Sequence, residues 1–270
     1  MEWNEVRRVA LQAARGAAEL HQQHVGRVRP EQWGSKGTSD FVTFVDREAE
    51  QHIVQCIRAA FPEHDVMAEE SFGEDPQVAN THWAKRDWVW IVDPLDGTTN
   101  FLHGYPVYCA SVAVANRGRL VAAAVVSGPT AECWSATLGQ GAERNGATIR
   151  VSGITDLKPA LIGTGFPFKN LDLLAGYLQQ FDRVMRQSSG VRRAGSAALD
   201  LCHVASGYLD GFWELELNPW DFAAGALLVQ EAGGLITGID EGLNLFERGS
   251  VLAGNAPIHA ALRHLLHGVS

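Results

Sequence analysis

Acidic residues in this chain gather where short apolar runs give way to turns. Glu69 and Glu70 follow the run 65–67. Asp93 and Asp96 straddle Pro94-Leu95 at the end of Trp88-Val89-Trp90-Ile91-Val92, and Asp221 follows Asn218-Pro219-Trp220. A rigid strand end followed by a tight turn can hold carboxylates against one another, and like charges so placed need a cation or a proton. Oxygen ligands without histidine or thiolate select magnesium, manganese or calcium over zinc. The stretch Gly97-Thr98-Thr99-Asn100-Phe101 adds a glycine and the first turn of a helix, where free backbone N–H groups bind phosphate. Phosphate beside a carboxylate cluster is the arrangement that metal-assisted phosphoester hydrolysis requires. Each piece also has a plainer explanation: Asp-Pro and Asp-Gly as turns, Glu-Glu as a solvated face, Asp46 and Asp221 as helix N-caps. Their coincidence in one chain weighs towards chemistry.

The elements that must carry these residues follow from periodicity. Trp3, Val6, Val9, Ala10, Ala13, Ala17 and Leu20 recur at helical spacing up to about residue 25. His21 and His24 stand at the end of that helix with no third ligand nearby and read as surface histidines. Residues 34–40 read as a polar loop and 41–45 as a short strand. After Asp46 a helical pattern runs through Ile53, Val54, Ile57 and Ala60 and stops at Pro62. A second short strand is expected at 65–67 and a surface loop or short helix at 72–86. The run 88–92 is a buried strand by length and composition. Strands follow at 107–116, 120–127 and 132–137, with Asn145-Gly146 as a turn, and their short connections predict an antiparallel sheet. From about residue 153, helices at 171–187, 196–206, 220–232 and 257–267 alternate with strands at 160–164, 190–194, 208–216, 234–239 and 251–254. The expected fold is of α/β layers, antiparallel in an N-terminal half (1–153) and mixed in a C-terminal half (154–270), packed as one unit.

Composition narrows the function classes. The 270 residues carry a net charge of −9, with 46% hydrophobic and 20% charged residues. That is enough apolar material for a sizeable core, and no stretch has the bias of disorder. The densest basic clusters are Arg7-Arg8 and Arg192-Arg193, too short for the basic stripe of a nucleic-acid binder. An acidic protein can still handle an anionic substrate when a metal supplies the positive charge. The four cysteines, at 56, 109, 133 and 202, have neither CxxC nor zinc spacing and read as buried, reduced thiols. Met1-Glu2-Trp3-Asn4-Glu5 lacks a signal-peptide core, and no apolar run reaches the ~18 residues of a membrane span. A cytoplasmic location without membrane contact is expected.

Three segments in order carry a family resemblance: Met67-Ala68-Glu69-Glu70-Ser71, Trp90-Ile91-Val92-Asp93-Pro94-Leu95-Asp96-Gly97-Thr98-Thr99-Asn100-Phe101, and Trp220-Asp221-Phe222-Ala223-Ala224-Gly225. The second resembles the DPxDGTxNF signature and the third the WDxAAG motif of the inositol monophosphatase family. The likeness runs from Lys36 and Thr43-Phe44-Val45-Asp46 to Leu252-Ala253-Gly254-Asn255.

The resemblance implies an α/β/α/β/α sandwich, usually a homodimer, that uses two or three magnesium ions on a small phosphorylated polyol. It implies Glu69, Asp93 and the Leu95 carbonyl as ligands of one ion and Asp93, Asp96 and Asp221 as ligands of a second. Glu69 would also help to hold a third. Asp46 and Thr98 correspond to the pair that orients the attacking water, with Glu69 in the catalytic set. Asp96, Gly97, Thr98, Gly195, Ala197, Glu214 and Asp221 correspond to substrate contacts, Glu214 standing seven residues before Asp221. Lys36 falls in the family's mobile loop. Relatives with the same motifs act on histidinol phosphate, fructose 1,6-bisphosphate or adenosine bisphosphate. A second phosphate would want more arginines than Arg192-Arg193, so a monophosphate is favoured. Some bacterial relatives bind the transcription machinery or RNA, which leaves a regulatory binding protein as the alternative from another class. The acidic charge speaks against direct nucleic-acid contact, and no EF-hand pattern supports a calcium module.

Overall fold

A computed structural model describes residues 3–37, 40–72, 83, 86–168, 170–240, 242 and 245–268, with side chains except those of 35–37, 40, 41, 72, 247 and 248. In chain order the elements are α1 (Trp3–His24), β1 (Gly34–Gly37), β2 (Asp40–Val42), α2 (Phe44–Ala60), β3 (Asp65–Ala68), α3 (Glu69–Phe72) and β4 (Trp88–Asp96). Then come α4 (Thr98–Leu102), β5 (Cys109–Asn116), β6 (Arg119–Ser127), β7 (Cys133–Thr137), β8 (Ala142–Arg144), β9 (Ala147–Ile149) and β10 (Leu161–Thr164). The rest are α5 (Leu174–Gln187), β11 (Gly190–Arg192), α6 (Ala197–Ala205), β12 (Gly211–Glu214), α7 (Pro219–Glu231), β13 (Leu235–Gly238), α8 (Leu245–Arg248), β14 (Val251–Gly254) and α9 (Ala256–His267).

Two sheets and three helical layers form the expected α/β/α/β/α sandwich. The seven-stranded sheet runs β3 to β9 in sequence order. Its strands alternate between two apolar layers, so central strands are apolar on both faces. Trp90, Val112 and Val114 pack against Val6, Ala10, Ala13, Ile53 and Ile57 of α1 and α2. Ile91 and Val125 face the middle layer, where Leu201, Phe222 and Leu227 of α6 and α7 also meet Phe212 and Ala253 of the second sheet. That five-stranded sheet has the order β11-β10-β12-β14-β13 and is mixed: β10 runs parallel to both neighbours, while β14 is antiparallel to both of its own. On its outer face Tyr177, Val184, Leu262 and Leu266 of α5 and α9 cover Ile162, Trp213 and Leu252.

Five expectations need correction. Residues 34–37 form β1, paired antiparallel with β2, rather than part of a loop. Residues 44 and 45 belong to α2 rather than to a strand, because Thr43 caps that helix: its hydroxyl accepts from Val45 N–H, and Asp46 reaches back to Thr43 N–H. The first sheet is antiparallel except at one edge, where β3 pairs parallel to β4. His21 is not a surface residue; it extends the buried stripe of Ala14, Ala17 and Ala18 and is fully buried. Cys56 is half-buried, while the other three cysteines are buried, and all four are free thiols. The expected loop or helix at 72–86 lies mostly outside the described residues, as does the side chain of Lys36.

Candidate active site

The end of β4 builds the centre of the site. The β4–β5 register passes from Asp93 opposite Ser111 to Asp96 opposite Cys109, so Pro94 and Leu95 bulge out of the ladder. Within the bulge, Leu95 N–H donates to Asp93 Oδ1 at 3.0 Å. Gly97 follows at φ +89°, a left-handed conformation that an L side chain adopts only under strain, and a Cβ there would meet the Val107 carbonyl oxygen at 2.8 Å. This turn starts α4 and aims Thr98 back at the bulge. Asn100 ties it to the segment before α6 by donating to the carbonyls of Val107 (2.7 Å) and Ala194 (3.0 Å).

Four carboxylates meet at the bulge from three elements: Asp93 and Asp96 from β4, Glu69 from α3 and Asp221 from α7. The parallel register places Ala68 beside Val92, so Glu69 at the head of α3 comes level with Asp93. Asp96 is held through one oxygen by the start of α6: Ser196 Oγ donates to Oδ2 at 2.6 Å and Ala198 N–H at 2.8 Å. Asp221 is the third residue of α7, and its Oδ2 accepts from Asn218 N–H at 2.7 Å; the cap is Asn218, not Asp221. Asp93 is itself 1% exposed. Burial first, and then the charges of Glu69, Asp96 and Asp221, push its pKa well above the usual carboxylate range.

Asp46 sits under Thr98. Its Oδ2 accepts from Thr43 N–H and Oγ1, and its Oδ1 accepts from Thr98 Oγ1 at 3.1 Å. The Thr98 hydroxyl also lies 3.0 Å from the Leu95 carbonyl. Burial, opposed by the hydrogen bonds from Thr43, raises the Asp46 pKa to about 6.

Beside this centre opens a cavity of about 270 Å³, lined by Glu69, Asp93, Asp96, Thr98, Glu214 and Asp221 among others. It is at the small end of ligand pockets. Leu95, Gly97, Gly195 and Ala197 also line it, so every residue that the resemblance marks as ligand, catalytic group or substrate contact reaches the cavity except Asp46, which reaches it through Thr98. The Glu214 carboxylate occupies the place that a Cβ on Gly165 would take. Desolvation, then the charges of Asp200, Asp221 and Asp96, raise the Glu214 pKa well above the usual range, while Arg193 lowers it.

Sequence reasoning left three contributors out. Arg193 counts in the sequence only as half of a basic pair too small for a second phosphate, yet its guanidinium lies over the rings of Phe166 (5.3 Å) and Phe168 (5.7 Å) at the cavity wall. Gly165 has no chemistry of its own to mark it in the sequence. His21 lies beneath the bulge, with Nε2 at 2.9 Å from the Pro94 carbonyl. Its position four residues after Ala17 was the available signal.

The donor chemistry suits a hard cation. The cavity presents carboxylate oxygens with no histidine or thiolate in its lining, and the charges around Asp93 raise its proton affinity. Among the described residues no group of three or more His, Cys, Asp or Glu side chains is drawn together as a ready metal cage.

A profile of the inositol monophosphatase family matches residues 2–269. A Pseudomonas aeruginosa protein named Nus factor SuhB is 44% identical over 256 residues, spanning 94% of this chain and 93% of that one. The Escherichia coli protein of the same name is 41% identical over 254 residues, spanning 94% and 92%. Among solved structures, extragenic suppressor protein suhB from Bartonella henselae matches with a TM-score of 0.89 at 39% identity, covering 98% of this chain and 100% of that one. Inositol monophosphatase from Anabaena (Nostoc) matches with a TM-score of 0.85 at 33% identity, covering 99% and 97%.

Proposed function

The chain belongs to the inositol monophosphatase family, and on that premise we propose that it is a magnesium-dependent phosphatase of small phosphate monoesters, with inositol monophosphate as the first candidate. The observation that carries this reading is the buried Asp93, ringed by the charges of Glu69, Asp96 and Asp221 beside the Thr98–Asp46 pair. Magnesium ions, when bound, supply the activation of water and the neutralisation of phosphoryl charge. Glu69, Asp93 and the Leu95 carbonyl would hold one ion, Asp93, Asp96 and Asp221 a second, and Glu69 would share in a third.

The chain's own groups do the positioning. Thr98 Oγ1 gives its hydrogen to Asp46 or to the Leu95 carbonyl, so its lone pairs face the cavity to accept from the attacking water. The backbone N–H groups of Gly97 and Thr98 receive phosphate oxygens. Glu214 accepts hydrogen bonds from substrate hydroxyls, beside Gly195 and Ala197. Arg193 already compensates the buried acids Glu214 and Asp200, which supports a monophosphate over a bisphosphate. A homodimer acting on a small phosphorylated polyol completes the reading.

Phosphate release from a panel of inositol 1-phosphate, histidinol phosphate, fructose 1,6-bisphosphate and adenosine 3′,5′-bisphosphate tests it, with and without magnesium. Preference for inositol 1-phosphate and loss of turnover in chelator are expected. Full hydrolysis in chelator, with metal shown absent, overturns the metal reading. A second reading draws on the name Nus factor given to relatives: a regulatory role with the transcription machinery. A pull-down of RNA polymerase that Asp93→Asn leaves intact would support it independently of catalysis.

A further inference from the structure

Asp93 is held by a peptide unit that the sheet does not hold. The bulge leaves Pro94 and Leu95 without partners in the β4–β5 register. The peptide between them has its N–H on Asp93 Oδ1, at 3.0 Å, and its carbonyl oxygen 2.9 Å from His21 Nε2. A carbonyl can only accept, so Nε2 carries the hydrogen and donates. His21 is 0% exposed, and its other ring nitrogen, Nδ1, is buried without a hydrogen-bond partner. A polar ring placed in such surroundings costs free energy unless the bond it does make matters. Its seat is built to fit: Phe101 and Tyr108 flank the ring at 6.1 and 6.0 Å. At Gly128 a side chain would strike the Tyr108 ring and crowd the His21 Cβ.

We infer that His21, on α1 and outside the family's signature segments, is a positioning residue for the metal turn, acting on Asp93 through the Pro94–Leu95 peptide. The relay is His21 Nε2–H to the Pro94 carbonyl, then Leu95 N–H to Asp93 Oδ1. Donation to the carbonyl fixes the peptide plane and polarises the amide, which strengthens the N–H bond at its far end. A hydrogen bond to the ionised carboxylate favours the charge that a cation needs. The inference rests on the proposed role of Asp93 as the central ligand.

Three substitutions separate the relay from packing. His21→Leu removes the donor at similar bulk, His21→Gln keeps an N–H at similar reach, and His21→Asn keeps one that falls short. In the full chain freed of metal by chelator, amide exchange at Leu95 is followed by NMR. Magnesium affinity is then measured by calorimetry and thermal stability separately. The Leu and Asn variants should speed Leu95 exchange relative to β5 and β6 amides. They should also weaken magnesium binding about tenfold, the low end for groups that orient metal ligands. The Gln variant should restore both. Equal behaviour of Gln and Asn overturns the relay. So do variants that melt earlier while exchange at Leu95 and magnesium affinity stay as in the wild type. If His21→Leu does not fold, the Gln–Asn comparison decides. If the wild type binds no magnesium, the functional reading fails instead, and Leu95 exchange alone still decides the relay.

Discussion

Asp93 is the residue on which the other charges of the site converge, so its substitution has the plainest outcome. Asp93→Asn removes a proposed bridging oxygen, and activity at saturating magnesium should fall by more than the ~10–100-fold typical of groups one step further out. The fold should survive, because a buried, mutually repelled carboxylate is relieved; near-normal turnover would remove Asp93 from the metal centre. Glu214 gives a subtler test through its neighbour. Gly165→Ala places a methyl group where the Glu214 carboxylate now lies. It should therefore lower kcat/KM for inositol phosphate more than for an aryl phosphate that has no hydroxyls to read, as Glu214→Gln should. Equal losses on both substrates would assign Glu214 to the metal centre or the fold. The acidic residues were legible because each ends or opens a periodic run. Gly165 and Arg193 were not, since what matters there is which side chain another segment brings across, and one-dimensional spacing does not contain that.

At the scale of elements, helix starts do more in this site than strand ends. Asp46 and Asp221 both stand third in their helices and accept the backbone N–H of the capping residue. This fixes one oxygen of each and aims the rest of the carboxylate. Ser196 caps α6 and clamps Asp96 at the same time. Ser196→Ala should therefore cost about 1 kcal/mol as a lost cap. It should also raise the magnesium concentration for half-maximal activity, because Asp96 loses the 2.6 Å bond from Ser196. An unfolding curve and a magnesium titration on the same sample check this; a stability loss with an unchanged titration would leave Ser196 a cap alone. Most elements after residue 100 fell within a few residues of their sequence-based bounds, since regular alternation and turn residues specify them. The start of α2 did not, because Phe44 and Val45 look like strand; the Thr43–Asp46 spacing of a capping box outweighs their propensity. The parallel edge β3–β4 escaped because strand direction depends on the path of the connecting segment, not on either strand's composition.

The whole sandwich shares one consequence of bringing α1 against the Pro94–Leu95 turn: its stability is linked to pH through His21. Burial, only partly opposed by the bond to Pro94, lowers the pKa of this ring to about 4 from 6.5. Because the folded value is depressed, the unfolded chain takes up the proton first as pH falls. The stability from keeping His21 neutral is fully present above 6.5, declines through the window from 6.5 to 4, and levels off below it. The full difference is about 3 kcal/mol, and between pH 7 and pH 5 about 2 kcal/mol of it should disappear. Asp46 titrates in the same window with the opposite sign, since its folded pKa is raised to about 6 by burial. A single stability curve therefore mixes the two. Subtraction removes the carboxylates: the unfolding free energy of wild type minus that of His21→Gln, each from denaturant titration in excess chelator, should fall by about 2 kcal/mol from pH 7 to pH 5. Gln retains a donor to Pro94 but has no proton to take up, so it isolates titration from the hydrogen bond. Parallel curves for the two proteins would mean that the ring is wetted or protonated in the folded state. The buried seat between α1 and the turn would then be wrong.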